Sequence, residues 1–229
     1  EIGVRLVGSE MCIRDSYFLI FAVPIILLYA SLLAESELTP EQRAQAEALK
    51  TQAEKLSFLV DALVKSSRLD NGILTLSPAP HPIQPLLDGA AAQGLAAAGQ
   101  RGISLTVLPW EGAARFDSKW TAEALYNVLD NALKYTPPGG TVTLSVTAYH
   151  MFCCIQVSDT GPGIPESEQA RIFQRFYRSP SASEAEGVGI GLYLARQIAA
   201  GQGGYLKVSS RPGEGSTFSL FLPRAEERT

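Results

Sequence analysis

The spacing of apolar residues changes once along this 229-residue chain, and the change limits what the chain can fold into. From Leu38 to Asn71, apolar side chains recur at three- and four-residue steps, which is typical of a helix that packs in a bundle. Beyond Pro85 they alternate at two-residue steps, interrupted by longer helical stretches. The sequence therefore predicts an α+β fold, with a helical segment followed by an α/β domain.

The predicted bundle helix has a clear start signal. Thr39 is a candidate N-cap, with Pro40 at the first helical position and Glu41 in the first turn. Asn71 and Gly72 mark its end. A stripe of small and apolar residues follows heptad-like spacing: Ala46, Leu49, Ala53, Leu56, Val60, Leu63 and Ser67. Such a stripe indicates a helical hairpin or a dimer rather than a ligand site.

Two further segments precede this helix. Residues 1–16 resemble a translated sequencing adapter, so we interpret them as a non-native tail and leave them out of the fold. The run from Tyr17 to Leu33 carries no charge and reaches the lower length limit of a membrane span, roughly 17 residues. Pro24 interrupts it. A membrane span and a buried bundle helix both fit this run, and a misread or out-of-frame stretch over residues 17–28 fits it as well.

Charge and cysteine content argue against several classes of protein. The net charge is −4, and no stripe of Lys and Arg occurs, which argues against nucleic-acid binding. The three cysteines are Cys12, Cys153 and Cys154. They fit neither a disulfide framework nor the spacing of metal ligands, and they indicate a reduced, cytosolic compartment.

Prolines mark a boundary in the chain. Four of them lie between Ser77 and Pro85, and they predict a linker over residues 77–86. This boundary separates a helical hairpin at 17–76 from a second domain at 87–224, with a short tail at 225–229. In and around the second domain we predict helices at about 83–99, 118–135 and 190–200, and strands at about 103–108, 114–117, 141–148, 151–158, 205–210 and 217–222.

The helix WTAEALYNVLDNALKY carries a polar face. Asn127, Asn131 and Lys134 recur at four- and three-residue steps, with Tyr135 beside them. An amide oxygen can ligate Mg²⁺ and an ammonium group can neutralise phosphate, so this face suits a metal-bound polyphosphate. A solvated helix surface explains the same pattern.

Three later segments are rich in glycine. In VSDTGPGIP, Asp159 ends a strand where its carboxylate can accept a hydrogen bond from an adenine amino group, while the glycines that follow permit close backbone approach. GVGIGLYLARQIAA is a glycine-rich loop that runs into a helix, and this arrangement directs backbone N–H groups at an anion. GEGSTFSLFLP offers glycines and hydroxyl residues before a strand, as in a turn that contacts phosphate. Between them, IFQRFYRS sets aromatic residues among arginines, a spacing that is more often core than function.

In chain order, these five segments resemble the boxes of sensor histidine kinases: WTAEALYNVLDNALKY the N box, VSDTGPGIP the G1 box, IFQRFYRS the F box, GVGIGLYLARQIAA the G2 box and GEGSTFSLFLP the G3 box. The resemblance extends over about Leu38 to Pro223. It implies a two-layer α/β sandwich, shared with DNA gyrase, mismatch-repair and heat-shock chaperone ATPases, preceded by a dimerisation hairpin that pairs as a four-helix bundle. It further implies a kinase that uses ATP and Mg²⁺ to phosphorylate a histidine and passes the phosphate to a response-regulator aspartate. Such a chain is a homodimer and the cytoplasmic domain of a protein anchored in the inner membrane.

The resemblance also implies roles for particular residues. Asn131 matches the Mg²⁺ ligand, and Asp159 matches the aspartate that reads adenine. The full set of implied ATP-binding residues is Asn127, Asn131, Lys134, Tyr135, Asp159, Gly161, Gly163, Gly187, Gly189, Gly191 and Thr217.

The chain departs from the family at the first hairpin helix. Alignment on Pro24 puts Leu19 where the phosphoacceptor histidine belongs, so no catalytic residue is assigned. The two histidines present, His81 and His150, lie outside the hairpin. Two other readings stay open: a stand-alone ATPase or anti-sigma-type serine kinase on the same fold, and a pseudokinase that only scaffolds a partner.

Overall fold

The computed structural model describes residues 22–36, 38–70, 75–179 and 188–225, and it divides into two units, Glu1–Ile73 and Leu74–Thr229. Leu19, Gly187 and Cys12 lie outside the described residues. The first unit contains helix α1 over residues 22–34 and helix α2 over Pro40–Asp70. The second unit contains, in chain order, β1 (Ala79–Pro82), α3 (Gln84–Arg101), β2 (Ser104–Val107), β3 (Ala113–Phe116), α4 (Ser118–Tyr135), β4 (Thr141–Ala148), β5 (Phe152–Asp159), α5 (Glu166–Gln169), a 3-10 helix (Arg171–Phe173), α6 (Gly191–Gly201), β6 (Tyr205–Arg211) and β7 (Gly215–Pro223).

Helix α2 begins at the predicted cap. The Thr39 N–H donates to Gln42 Oε1 at 3.0 Å, and the Gln42 N–H donates to Thr39 Oγ1 at 3.3 Å. The two residues therefore satisfy each other's donors in a reciprocal capping box. The stripe along α2 divides in two: Ala46, Ala53 and Val60 are buried, whereas Leu49, Leu56 and Leu63 are 52%, 41% and 43% exposed.

Helix α1 includes Pro24 near the start of its described part. Val23 and Ala30 are buried, while most of the large apolar side chains of α1 are exposed, including Ile25, Leu28 and Tyr29. Within the described ranges, no helix combines the length and the apolar character that a membrane crossing requires.

The second unit is built on a five-stranded sheet in the order β2-β4-β5-β7-β6. Strand β2 runs parallel to β4, and every other neighbouring pair is antiparallel. Strand β5 lies at the centre, and its last residue, Asp159, is opposite Ser216 on β7. The end of β5 is thereby placed beside the beginning of β7.

Three helices cover one face of this sheet. Helix α4 contacts α3, α6 and β5, and its apolar side is buried through Leu125, Val128 and Leu129. Alternate residues of the strands face these helices and form the core, among them Val142, Leu144, Ile155, Val157, Phe218 and Leu220. Because strands present alternate side chains to opposite faces, one face is apolar and the other is richer in hydroxyl groups. The predicted two-layer α/β sandwich preceded by helices is confirmed.

The linker prediction is wrong for part of its range. Residues Ala79–Pro82 form β1, which pairs antiparallel with β3 in a separate two-stranded sheet. Pro80 and Pro82 are two residues apart, so both can point their missing N–H groups away from the partner strand. The alternate positions, Ala79 and His81, can then make the ladder hydrogen bonds. This proline-rich segment belongs to the second unit.

The first turn of α4 is fixed by side chains from elsewhere in the unit. Asp117 caps the helix, because its Oδ1 accepts from the Trp120 N–H at 3.0 Å. Gln202, buried just after α6, accepts from the Asp117 N–H at 2.5 Å and from Thr121 Oγ1 at 3.2 Å. These bonds tie the end of α6 to the start of α4.

Candidate functional site

Helix α4 presents the predicted polar face. Asn127, Asn131, Lys134 and Tyr135 are all half-buried, and they lie on the side opposite its buried apolar residues. Their four- and three-residue spacing places them one turn apart along the helix. The structure therefore brings the residues predicted in the N box onto one surface.

The same face carries an acid that the sequence analysis did not single out. Lys134 Nζ lies 2.5 Å from Asp130 Oδ2, with 25% and 33% of the two side chains exposed. The signal was present in the sequence, because an acid four residues before a lysine on a helix is a recognised pairing. The ammonium predicted to meet phosphate is thus already held by a carboxylate.

Tyr135, at the end of α4, is half-buried and lies near two groups of opposite charge. Burial raises the pKa of its phenol above the ordinary value; the nearby Arg178 acts to lower that pKa, and Asp130 acts to raise it further. Burial also raises the pKa of Tyr126, with a smaller contribution from Asp130. The Asp130 carboxylate therefore contributes to raising the pKa of both tyrosines.

Asp159 ends β5 with its two oxygens in different situations. Oδ1 accepts from the Gly161 N–H at 2.9 Å and from the Ser216 N–H at 3.2 Å. Oδ2 accepts no hydrogen bond from the described part of the chain. Burial raises the pKa of this carboxyl above its ordinary value, and the two backbone N–H groups partly offset that effect. One oxygen is anchored, and the other can accept a hydrogen bond from a ligand.

Three glycines allow backbone to close around Asp159. A Cβ on Gly215 would lie 2.0 Å from the Asp159 carbonyl oxygen, and a Cβ on Gly161 would lie 2.8 Å from Asp159 Oδ1. Gly163 has φ +73, and a Cβ there would lie 2.0 Å from the carbonyl oxygen of Arg211. A side chain at position 163 or 215 would displace backbone, and one at position 161 would push against the Asp159 carboxylate.

Hydrogen bonds fasten the G1 and G3 segments together. The Gly213 N–H donates to the Pro162 carbonyl at 2.7 Å. Ser210 Oγ accepts from the Ile164 N–H at 2.8 Å and donates to the Gly215 carbonyl at 2.8 Å. The loop after Asp159 is consequently held by the β6–β7 turn, a link that sequence spacing alone did not indicate.

Two glycines of the G2 segment contact other predicted segments. Gly191, the first residue of α6, packs on Asn127: a Cβ at this position would lie 3.1 Å from Asn127 Oδ1. Gly189 has φ +75 and accepts through its carbonyl from the Phe176 N–H at 2.9 Å. The F segment therefore contacts the base of the G2 loop, and the start of α6 contacts the polar face of α4.

The remaining predicted residues lie at the margins of this cluster. Thr217 follows Ser216 on β7 and shares a hydrogen bond of 2.9 Å with Ser158. Phe173 is buried, with the Arg196 guanidinium over its ring, whereas Phe176 is 51% exposed and has φ 61. The ring of Tyr177 lies under the Arg171 guanidinium at 4.6 Å.

A groove of about 240 Å³ lies elsewhere in the second unit. It is lined by β1, α3 and the start of α4, including His81, Leu86, Phe116 and Ala122. The His81 ring packs on Phe116 at 5.3 Å between centroids. No predicted site residue lines this groove.

The site that results has a polar helix face at one side and an anchored carboxylate at the other, with Tyr135 and Gly161 in contact between them. Residues 116–226 match the family model described as histidine kinase-, DNA gyrase B-, and HSP90-like ATPase. The chain carries a histidine-kinase-type ATPase domain.

Comparison with known proteins agrees with this assignment. The chain is 34% identical to the sensor protein DivL of Caulobacter vibrioides over 98% of its own length and 30% of DivL. It is 35% identical to the signal transduction histidine-protein kinase/phosphatase MprB of Mycolicibacterium smegmatis, over 75% of the chain and 35% of MprB. This chain is thus related to the sensor histidine kinases, and it spans about a third of the length of these curated relatives.

Solved structures resemble both the ATPase domain and longer parts of the chain. Full-length ShkA in complex with AMPPNP superposes with a TM-score of 0.80 at 29% identity, covering 94% of this chain and 46% of ShkA. ThkA in complex with the response regulator protein TrrA superposes with a TM-score of 0.67 over 98% of this chain and 64% of that one. The latter identity is 18%, so that likeness supports the fold alone.

Proposed function

We propose that this chain binds ATP together with Mg²⁺ and forms the ATP-binding part of a sensor histidine kinase. The observation that carries the proposal is Asp159, whose Oδ1 is anchored by two backbone N–H groups while Oδ2 has no hydrogen bond among the described residues. An acceptor held in this way suits the exocyclic amino group of adenine. ShkA, the similar protein named above, was crystallised with the ATP analogue AMPPNP.

The residues of α4 fit the metal and the phosphates. Mg²⁺ is commonly held by one or two oxygen ligands from the protein together with phosphate oxygens and water. The amide oxygen of Asn131 supplies such a ligand, with Asn127 beside it, and Lys134 supplies a cation for phosphate. When bound, the ion neutralises part of the triphosphate charge. In this proposal, Tyr135 and Thr217 border the nucleotide, and Gly189 and Gly191 serve as backbone hinges of the G2 segment.

The wider activity follows from the family. In this proposal the γ-phosphate passes to a histidine and then to an aspartate of a response regulator, the class of partner seen with ThkA. The chain has Leu19 at the position aligned with the phosphoacceptor, and a second copy has the same residue, so in this proposal the acceptor histidine belongs to a different protein. We place this domain in the cytoplasm, where ATP is available, as part of an anchored, homodimeric protein.

Replacement of Asp159 by Asn tests adenine recognition. The Asn Oδ1 can keep both backbone hydrogen bonds, but its NH₂ group replaces the acceptor at Oδ2. We expect the affinity for ATP·Mg²⁺ to fall at least about tenfold, and the affinity for inosine triphosphate, which presents an acceptor in place of the amino group, to rise. Calorimetric titration of both nucleotides measures the change in preference.

The Asp159→Asn variant should remain folded, so that a change in its nucleotide affinity reports on adenine recognition and not on a loss of stability. Because burial raises the pKa of Asp159, the native state binds more protons than the unfolded state just above the ordinary carboxyl range. Stability from this group therefore decreases as pH rises through that window, and at neutral pH a neutral Asn should be tolerated. Asp88→Asn, at an exposed acid bonded to Gln84 on α3, is the matched control. Unchanged ATP preference in a folded Asp159→Asn protein would contradict the proposal.

A further inference from the structure

A carboxylate lies at the edge of the surface proposed to receive a polyanion. Asp130 is on α4, one turn before Lys134 and next in sequence to Asn131, and it borders the polar face on the side of Lys134. Its Oδ2 is 2.5 Å from Lys134 Nζ, and about a third of the side chain is exposed. A carboxylate in this place repels phosphate and so lowers the affinity of the surface for a polyphosphate.

The charge of Asp130 reaches the neighbouring groups of the site. It contributes to raising the pKa of Tyr135 and of Tyr126, which flank it on α4. Arg178 acts on Tyr135 in the opposite sense. While Asp130 holds the Lys134 ammonium, the pair has no net charge, and Lys134 offers little net attraction to a phosphate.

Free ATP and ATP·Mg²⁺ meet this carboxylate differently. Free ATP carries about four negative charges near neutral pH and the bound ion removes about two, so repulsion by a fixed carboxylate is much stronger for the free form. A metal ion close to Asn131 would in addition be attracted by the neighbouring Asp130. The same carboxylate thus disfavours one form of the nucleotide and favours the other.

We propose that Asp130 makes nucleotide binding at this site dependent on Mg²⁺, by occupying Lys134 and repelling the triphosphate when no metal is bound. This inference rests on the proposed function, since it concerns the same nucleotide site. It assigns Asp130 a specificity role, discrimination between the metal-bound and metal-free nucleotide.

The test compares ATP affinity in excess Mg²⁺ with ATP affinity in EDTA, both by calorimetry. For each protein, the ratio of the two dissociation constants measures the dependence on Mg²⁺. We expect Asp130→Asn to strengthen binding of metal-free ATP about tenfold, and to change binding of ATP·Mg²⁺ by much less, so that the ratio collapses. Asp130→Ser removes the same charge with a smaller side chain and should behave alike.

Asp88→Asn, which removes an exposed acid from α3, should leave the ratio unchanged. Thermal unfolding of each variant verifies that it is folded. A ratio in both Asp130 variants equal to that of the parent would overturn the inference while leaving ATP binding intact. A loss of ATP·Mg²⁺ affinity with metal-free binding unchanged would also overturn it, since Asp130 would then be a metal ligand. A folded parent that binds neither form would instead refute the proposed function.

Discussion

At the scale of single residues, phosphotransfer depends on where a histidine stands. The chain contains two, His81 and His150. His150 is in the turn before β5, about 25 Å from Asp159 at the other end of that strand. His81 packs beside the start of α4, and Asn131 lies about 20 Å farther along that helix. Neither imidazole is placed near the proposed nucleotide.

We therefore expect this chain, incubated alone with labelled ATP and Mg²⁺, to gain no acid-labile phosphate, because no imidazole is held in line with the γ-phosphate. Acid and alkali treatment of the labelled protein, followed by peptide mapping, makes the measurement. His81→Gln and His150→Gln variants serve as controls for background label. Acid-labile, alkali-stable label that maps to either histidine would refute this expectation.

At the scale of elements, two glycines in the turns near Asp159 allow a test of how much the close packing of these loops contributes to stability. Gly163 and Gly213 both have positive φ, +73 and +82, but only Gly163 is crowded by backbone. Gly213→Ala should cost about 1 kcal/mol for its backbone conformation alone. Gly163→Ala should cost at least about 3 kcal/mol, because the new Cβ also collides with Arg211. Urea unfolding measures the loss of stability in each variant. Equal losses would show that the close approach of the two loops at Gly163 does not contribute to stability.

The elements also mark where sequence reasoning succeeds and where it stops. The bounds of α4 follow from the Asp117 cap and a complete apolar face, and they match the prediction. Strand β1 was missed because prolines normally break strands, and only the antiparallel partner β3 makes Pro80 and Pro82 acceptable.

The candidate site shows the same limit. The motifs identified Asn131, Lys134 and Asp159, since each stands in a local pattern of its own. The anchoring of Asp159 by Ser216 depends on strand pairing across 57 residues, which no local pattern reveals. The Asp130–Lys134 pair does follow a local pattern, but an acid four residues before a lysine is common on helix surfaces and does not by itself indicate a site.

At the scale of the whole molecule, helix α2 exposes three leucines to solvent. Leu49, Leu56 and Leu63 recur every seven residues and are 52%, 41% and 43% exposed, while Ala46, Ala53 and Val60 of the same helix are buried. A seven-residue apolar repeat is the pattern by which helices of two chains pair. A second copy of this chain is the partner that the family predicts for this surface.

The double replacement of Leu56 and Leu63 by Glu should therefore convert a dimer into a monomer, since it would bury two unpaired charges from each chain in the seam. Light scattering coupled to size exclusion, repeated over a concentration series, measures the mass of each protein. Leu95→Glu alters a leucine on α3 that is 64% exposed, and it should leave the parent mass unchanged. Binding of ATP·Mg²⁺ should survive in the double variant, because the proposed nucleotide residues all belong to the second unit. A parent chain that stays monomeric at the highest concentration would refute pairing through α2.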